Sequence, residues 1–233
     1  PDTREADYGV EGSFADCISL LKNKNIWLLG LVFFVFIAGQ TGIVNTYLPN
    51  FLQTAPDATP PGFGWDAATA GIGLAVVTTI GIVSKPAGGA FCAALPHHLK
   101  RIVPVSVAVL YLFCFYLMFQ TESVPLCWVG IVLMGICAGL GGGGLRPLAP
   151  AIMHKSAMAA TMGMAVLQFA QCVGNCFSPI YGSLIDAGTP YWDACLMTIV
   201  PMSVVMLIAA FFIRPGKGSE YQKVRAENEA AKE

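Results

Sequence analysis

The stretch VPLCWVGIVLMGICAGLGGGGL, residues 124–145, decides the fold because it contains no charged side chain. A helix needs about 20 mostly apolar residues to cross the hydrocarbon core of a bilayer. The five glycines from Gly139 to Gly144 would weaken a helix in water. In a membrane bundle, small residues instead allow helices to pack closely. The stretch therefore predicts a transmembrane helix.

Five further stretches have the same character, and the composition of the whole chain agrees with them. Only 12% of the 233 residues are charged and the mean hydropathy is +0.65, whereas soluble domains carry about 25% charged residues. Lipid permits only helices or closed barrels, and barrel strands are about ten residues of alternating polarity, which these runs are not. We predict an all-α integral membrane protein with a bundle of six transmembrane helices, 26–52, 67–94, 102–119, 124–153, 157–185 and 191–213.

The basic residues distinguish the two faces of the membrane. Of the 13 Lys and Arg residues, 11 lie before the first span, between spans two and three, between four and five, or after the sixth. The other two are Lys85 and Arg146. The three opposite loops carry acids, such as Asp57 and Glu122, and no Lys or Arg. By the positive-inside rule both termini are cytoplasmic. We therefore predict a multi-pass protein of the plasma or inner membrane.

Two segments resemble the major facilitator superfamily. LLKNKNIWLLGLVFFVF, from Leu20, and NTYLPNFL, from Asn45, resemble the entry to and exit from helix seven of that superfamily. MGMAVLQFAQCVGNCFSPIYGSLIDAG, from Met162, followed by PYWDACL, is similar to its helix eleven and the loop before helix twelve. The resemblance implies the C-terminal half, helices seven to twelve, of a transporter that binds substrate between two six-helix halves.

A third segment, GAFCAALPHHLKR, resembles the degenerate second copy of the superfamily's cytoplasmic loop motif. It begins at Gly89, and His97 and His98 stand at the final basic positions of the motif. The resemblance therefore implies a cytoplasmic loop motif at these three residues.

The two ends of the chain are interpreted in the light of the same resemblance. Residues 1–25 are expected to be a cytoplasmic remnant of the central loop, and residues 214–233 a solvated cytoplasmic tail. Because the chain begins with Pro1 and not with Met, we expect the coding region to continue upstream by about 190 residues with six more spans. The remnant contains an apolar stripe at helical spacing that predicts a helix lying on the membrane surface, formed by Phe14, Cys17, Ile18 and Leu21.

Two cations inside the spans are candidate substrate ligands, since ionisable groups in a membrane are costly and usually functional. Lys85 begins a Lys-Pro-x-Gly-Gly element that resembles helix eight of the nitrate/nitrite-type and oxalate/formate-type anion porters. It is either a substrate or gate contact or an anchor that extends to the headgroups. Arg146 lies closer to the end of its span, so that extension to the headgroups is the favoured interpretation there.

Uncharged polar side chains form two further candidate groups. Gln40, Thr41 and Asn45 lie on the first span, whereas Gln168, Gln171 and Asn175 follow each other at i, i+3 and i+7 on the fifth. Such a stripe indicates the wall of a polar cavity, with hydrogen bonding between helices as the alternative.

These residues predict transport of a small solute, with a small organic or inorganic anion as the favoured substrate, by alternating access together with an N-terminal half. The alternatives are transport of a neutral or hydrophobic solute, and a self-sufficient six-helix channel or homo-oligomeric carrier. An enzyme is not expected, because the chain has no GxSxG-like nucleophile and its three His lie in or beside loops. No metal site, cofactor or nucleic-acid partner is indicated; the expected partners are the lipid bilayer, the other half and the substrate.

Overall fold

The computed structural model describes residues 21–96, 99–152 and 157–213, and every regular element in these ranges is a helix. The prediction of an all-α chain is therefore confirmed for the described residues. Of the predicted surface stripe only Leu21 falls within them, and the predicted C-terminal tail lies outside them.

The first predicted span is one continuous helix with a change of register in its middle. Helix α1 (Lys24–Ile37) passes into a π-helical segment, Ala38–Val44, which leads into α2 (Asn45–Gln53). The Asn23 side chain accepts a 3.0 Å hydrogen bond from the Asn25 amide and so caps the first turn of α1.

The second and third predicted spans are single helices, α3 (Ala67–Ala94) and α4 (Ile102–Phe119). Asp66 caps the N-terminus of α3, and its carboxylate accepts hydrogen bonds of 3.1 Å from the Thr69 backbone N–H and 2.6 Å from the Thr69 hydroxyl. These bonds lower the pKa of Asp66 because they stabilise its charged form.

The fourth predicted span, 124–153, is divided in the structure. Helix α5 (Val124–Gly139) continues as a second π-helical segment, Leu140–Gly144, and a turn then separates it from the short α6 (Leu148–Ile152). Pro147 in this turn explains the interruption, because proline has no amide hydrogen and disfavours a helical residue before it.

The fifth predicted span, 157–185, is also divided. Helix α7 (Ala157–Asn175) ends at a turn over residues 176–177, and α8 (Ser178–Asp186) begins directly after it. Pro179 stands in the first turn of α8, where a proline is tolerated but cannot continue the hydrogen bonding of the preceding helix.

The sixth predicted span consists of α9 (Tyr191–Met197) and α10 (Ile199–Phe212), which meet at a 40° bend. In the described chain, four helices are long and apolar enough to cross a membrane, and the number is five if the bent pair is counted as one span. Residues 157–185 are not among these, so six spans remain a prediction.

Helix α3 packs closely on α5 and on the second π-helical segment. A Cβ atom on Gly139 would collide with the Ser84 hydroxyl, and one on Gly143 would collide with the carbonyl oxygen of Lys85. The Ser84 hydroxyl oxygen lies 2.6 Å from the Ile80 carbonyl of its own helix and 3.2 Å from the Gly135 carbonyl across the contact, so these two acceptors share its single proton. The glycines therefore serve the close helix contact expected from the sequence.

The other helices enclose a core rich in aromatic side chains. Helix α1 packs on α7 and α10, and α4 packs on α5 and α10, with Phe33, Tyr111 and Phe115 fully buried between them. Large apolar side chains are exposed on the outer surfaces of α3 and α7, among them Val83, 72% exposed, and Phe169, 62% exposed.

Candidate functional site

A cavity of about 280 Å³ lies between α1, α3, α5 and α7, beside the two π-helical segments. Hereafter it is called the central cavity. It brings together six of the candidate residues identified in the sequence, Gln40, Thr41, Asn45, Lys85, Arg146 and Gln171. Its other lining residues are Phe33, Phe36, Ile37, Thr78, Ile82, Ala138 and Gly142.

The first π-helical segment supplies the amide and hydroxyl groups of one wall. Gln40 and Thr41 lie within it, and Asn45 is the residue at which the α-helical register resumes. The backbone N–H of Asn45 donates to the backbone carbonyl of Gln40, five residues earlier, as a π-helix requires. The wide turn thus places three polar side chains on the central cavity.

Lys85 lines the opposite wall on α3. Its aliphatic chain lies along Gly142, where a Cβ atom would be 3.3 Å from Lys85 Cε. Within the part of the chain that the structure describes, no hydrogen bond or ion pair engages its ammonium group. The ammonium group is therefore free to bind a ligand. The next residue, Pro86, lacks an amide hydrogen, so the Ile82 carbonyl beside the central cavity loses its usual helical donor.

Arg146 follows the second π-helical segment and is held in the central cavity by two contacts. Its Nη2 donates a 2.9 Å hydrogen bond to Gln171 Oε1 of α7. Its guanidinium carbon lies 5.7 Å from the centre of the Phe33 ring, within the range of a cation–π interaction. A guanidinium has five N–H donors, so most remain available for an anion.

Thr78 is a lining residue that the sequence interpretation did not include. It precedes Lys85 by seven residues, two helical turns, and therefore lies on the same face of α3. That spacing is visible in the sequence and was sufficient to find it. The Thr78 hydroxyl donates to the carbonyl of Leu74 at 3.0 Å and keeps its lone pairs for another donor.

Gln168 and Asn175 are exposed and do not line the central cavity, although they share a stripe with Gln171. At about 100° per residue, positions 168 and 175 point within about 20° of each other, whereas position 171 is about 60° from 168 and about 40° from 175. The stripe is therefore wide enough that one of its members reaches the central cavity while the other two lie beside it.

The charged side chains in the described lining of the central cavity are all positive. Its described lining contains two cations, Lys85 and Arg146, with hydroxyl and amide groups between them, and no Asp or Glu. Neither cation therefore has a protein carboxylate as a neutralising partner there. The predicted spans place both cations in the membrane, where an uncompensated charge is costly, so the arrangement is suited to a negatively charged ligand.

The predicted cytoplasmic loop motif is described only in part. Gly89 lies inside α3, where a Cβ atom would be 3.6 Å from the carbonyl oxygen of Gly143. His97 and His98 lie outside the described residues.

Comparison with known proteins gives a family match for the amino-acid sequence of the chain. A family model described as Major Facilitator Superfamily matches residues 2–179. No curated protein matches the chain.

Proposed function

The chain belongs to the major facilitator superfamily, and from this premise we propose that it carries a small anion across the membrane by binding it in the central cavity. Membership of the superfamily establishes membrane transport of a small solute by an integral membrane protein. The anion, the contribution of each lining residue and the alternating-access mechanism are what the proposal adds.

The observation that carries the proposal is the pair of cations in one small cavity that has no described acid. Lys85 contributes a point charge with three rotatable donors, and Arg146 contributes a planar fork suited to a carboxylate or a similar oxyanion. Gln40, Asn45 and Gln171 are close enough to line the same space and can donate further hydrogen bonds. An anion neutralises both cations transiently, which suits a carrier that must also release its cargo.

The surface of the central cavity supports a second part of the proposal, that another six-helix unit covers it. Lys85 and Arg146 are both exposed in the described bundle. Cations facing lipid are strongly disfavoured, and α3 and α7 also expose large apolar side chains. A second half related to this one, as in transporters with repeated halves, would enclose the cations and bury these apolar side chains.

The experiment is an uptake measurement in proteoliposomes that contain the complete transporter. Labelled formate and nitrate serve as small anions, with labelled tetraethylammonium and glucose as the cationic and neutral comparisons. The proposal expects uptake of at least one anion and none of the other two compounds. Uptake of glucose or tetraethylammonium without either anion contradicts the anion assignment.

A further inference from the structure

Tyr111 of α4 places its hydroxyl against the backbone of α1, behind the central cavity. The side chain is fully buried, and its oxygen lies 3.1 Å from the carbonyl oxygen of Val35 and 3.3 Å from that of Phe36. The hydroxyl donates its single proton to this pair. Both carbonyls belong to the last turn of α1, just before the register widens at Ala38.

Gly39, inside the π-helical segment, makes this approach possible. A Cβ atom at Gly39 would collide with the Tyr111 hydroxyl and would lie 2.5 Å from Tyr111 Cζ and 3.1 Å from Phe115 Cζ. The aromatic ring therefore occupies the space that any larger residue at position 39 would fill. Side chains that intrude on the hydrogen-bond ladder of a helix are a known cause of local distortion.

The register of this segment decides which side chains reach the central cavity. A π turn contains an extra residue relative to an α turn, and each residue of an α-helix advances by about 100°. With the π turn, Asn45 lines the central cavity and Val44 is fully buried. If the segment tightened to the α-helical register, Val44 would take the angular position that Asn45 now holds.

We propose that Tyr111 is a positioning residue, which holds the π-helical register of Ala38–Val44 and thereby turns the polar side chains of this helix towards the central cavity. The consequence for transport rests on the proposed function, since it requires that the central cavity binds the substrate. The register itself does not depend on any substrate.

The Tyr111 ring also connects the first π-helical segment to the second, through the ring of Phe36. The Phe36 ring lies 6.0 Å from the Tyr111 ring, centre to centre, and occupies the space beside Gly141, where a Cβ atom would collide with it. Phe36 also lines the central cavity. Tyr111 therefore supports the wall from which Gln40 and Asn45 project.

The test measures the reactivity of a cysteine at position 44 in the complete transporter, solubilised in detergent, with a water-soluble methanethiosulfonate. Cys172 and Cys176, which are exposed, and Cys17, which lies outside the described residues, are first replaced by serine. In this background Val44→Cys is expected to react slowly while Tyr111 is present. Adding Tyr111→Phe, which removes only the hydroxyl, is expected to speed the reaction by about fivefold or more, the population change expected from losing one ordinary hydrogen bond.

Phe115→Leu is the matched control, because Phe115 packs on Tyr111 with ring centres 4.9 Å apart but has no hydroxyl. It is expected to lower the melting temperature and leave Val44→Cys protected. Equal protection with Tyr111 and with Tyr111→Phe overturns the proposal, and so does equal exposure with Phe115→Leu and Tyr111→Phe. A parent protein that takes up no anion contradicts the proposed function only, because the labelling uses no substrate.

Discussion

The guanidinium of Arg146 donates a 2.9 Å hydrogen bond to the side-chain oxygen of Gln171, which joins the turn after α5 to α7 across the central cavity. The bond holds the cation beside the ring of Phe33 and presents its remaining donors to the space that Lys85 also lines. Two cations, one on α3 and one in a turn, thus line one small cavity.

The charge of the central cavity is first tested at Gln171. Gln171→Glu would convert its hydrogen bond with Arg146 into an ion pair, and the new carboxylate would repel an anion. Anion uptake is expected to fall at least about tenfold, the equivalent of about 1.4 kcal/mol, with normal membrane insertion. Gln168→Glu, one turn away and outside the lining, is the control and is expected to retain uptake. Equal uptake by both variants would show that Arg146 and Gln171 do not contact the substrate.

Arg146 also shows how far the sequence could predict the site. The pattern identified Arg146 and Gln171 separately, but they are 25 positions apart, and no local periodicity relates a turn after α5 to a position on α7. Distance from the end of the span favoured an extension to the headgroups. In the structure the guanidinium lines the central cavity, where the tertiary fold brings an amide oxygen within reach.

The division of the predicted spans has a similar origin. Hydropathy marks where a segment is apolar enough for lipid, but it does not respond to a missing amide hydrogen. Hydropathy therefore predicted 124–153 and 157–185 as continuous spans. In the structure a turn interrupts each of them close to a proline, Pro147 in the first and Pro179 in the second. The contact of α3 with α5 was predictable in kind, since a run of glycines requires a close neighbour. Its partner, Ser84, was not predictable.

The close contact between α3 and the second π-helical segment predicts a large difference between two glycine substitutions. Gly143→Ala would force a methyl group into the carbonyl of Lys85, and overpacking of this kind costs about 1–3 kcal/mol. The melting temperature in detergent is therefore expected to fall by several degrees. Gly71→Ala on α3 meets no atom within 4 Å and is expected to leave the melting temperature unchanged or raise it. A similar decrease for both would show that the loss of stability does not come from this contact.

The orientation of the chain can be tested by thiol labelling in intact cells. If both termini are cytoplasmic, a membrane-impermeant reagent should label a cysteine introduced at Asp57 or Glu122, in the loops without basic residues. A cysteine introduced at Lys100 should remain unlabelled until the membrane is permeabilised. Labelling at Lys100 in intact cells, with protection at Asp57, would reverse the proposed orientation.

Uptake by lysine variants tests the anion proposal most directly, because Lys85 is the cation of the central cavity that has no partner among the described residues. In proteoliposomes, Lys85→Gln is expected to abolish anion uptake, and Lys85→Arg to retain part of it, since charge survives while geometry changes. Lys100→Gln removes a lysine that does not line the central cavity and should transport at the parent rate. If Lys85→Gln also takes up the anion at the parent rate, the lysine is an anchor and the proposed anion site is wrong.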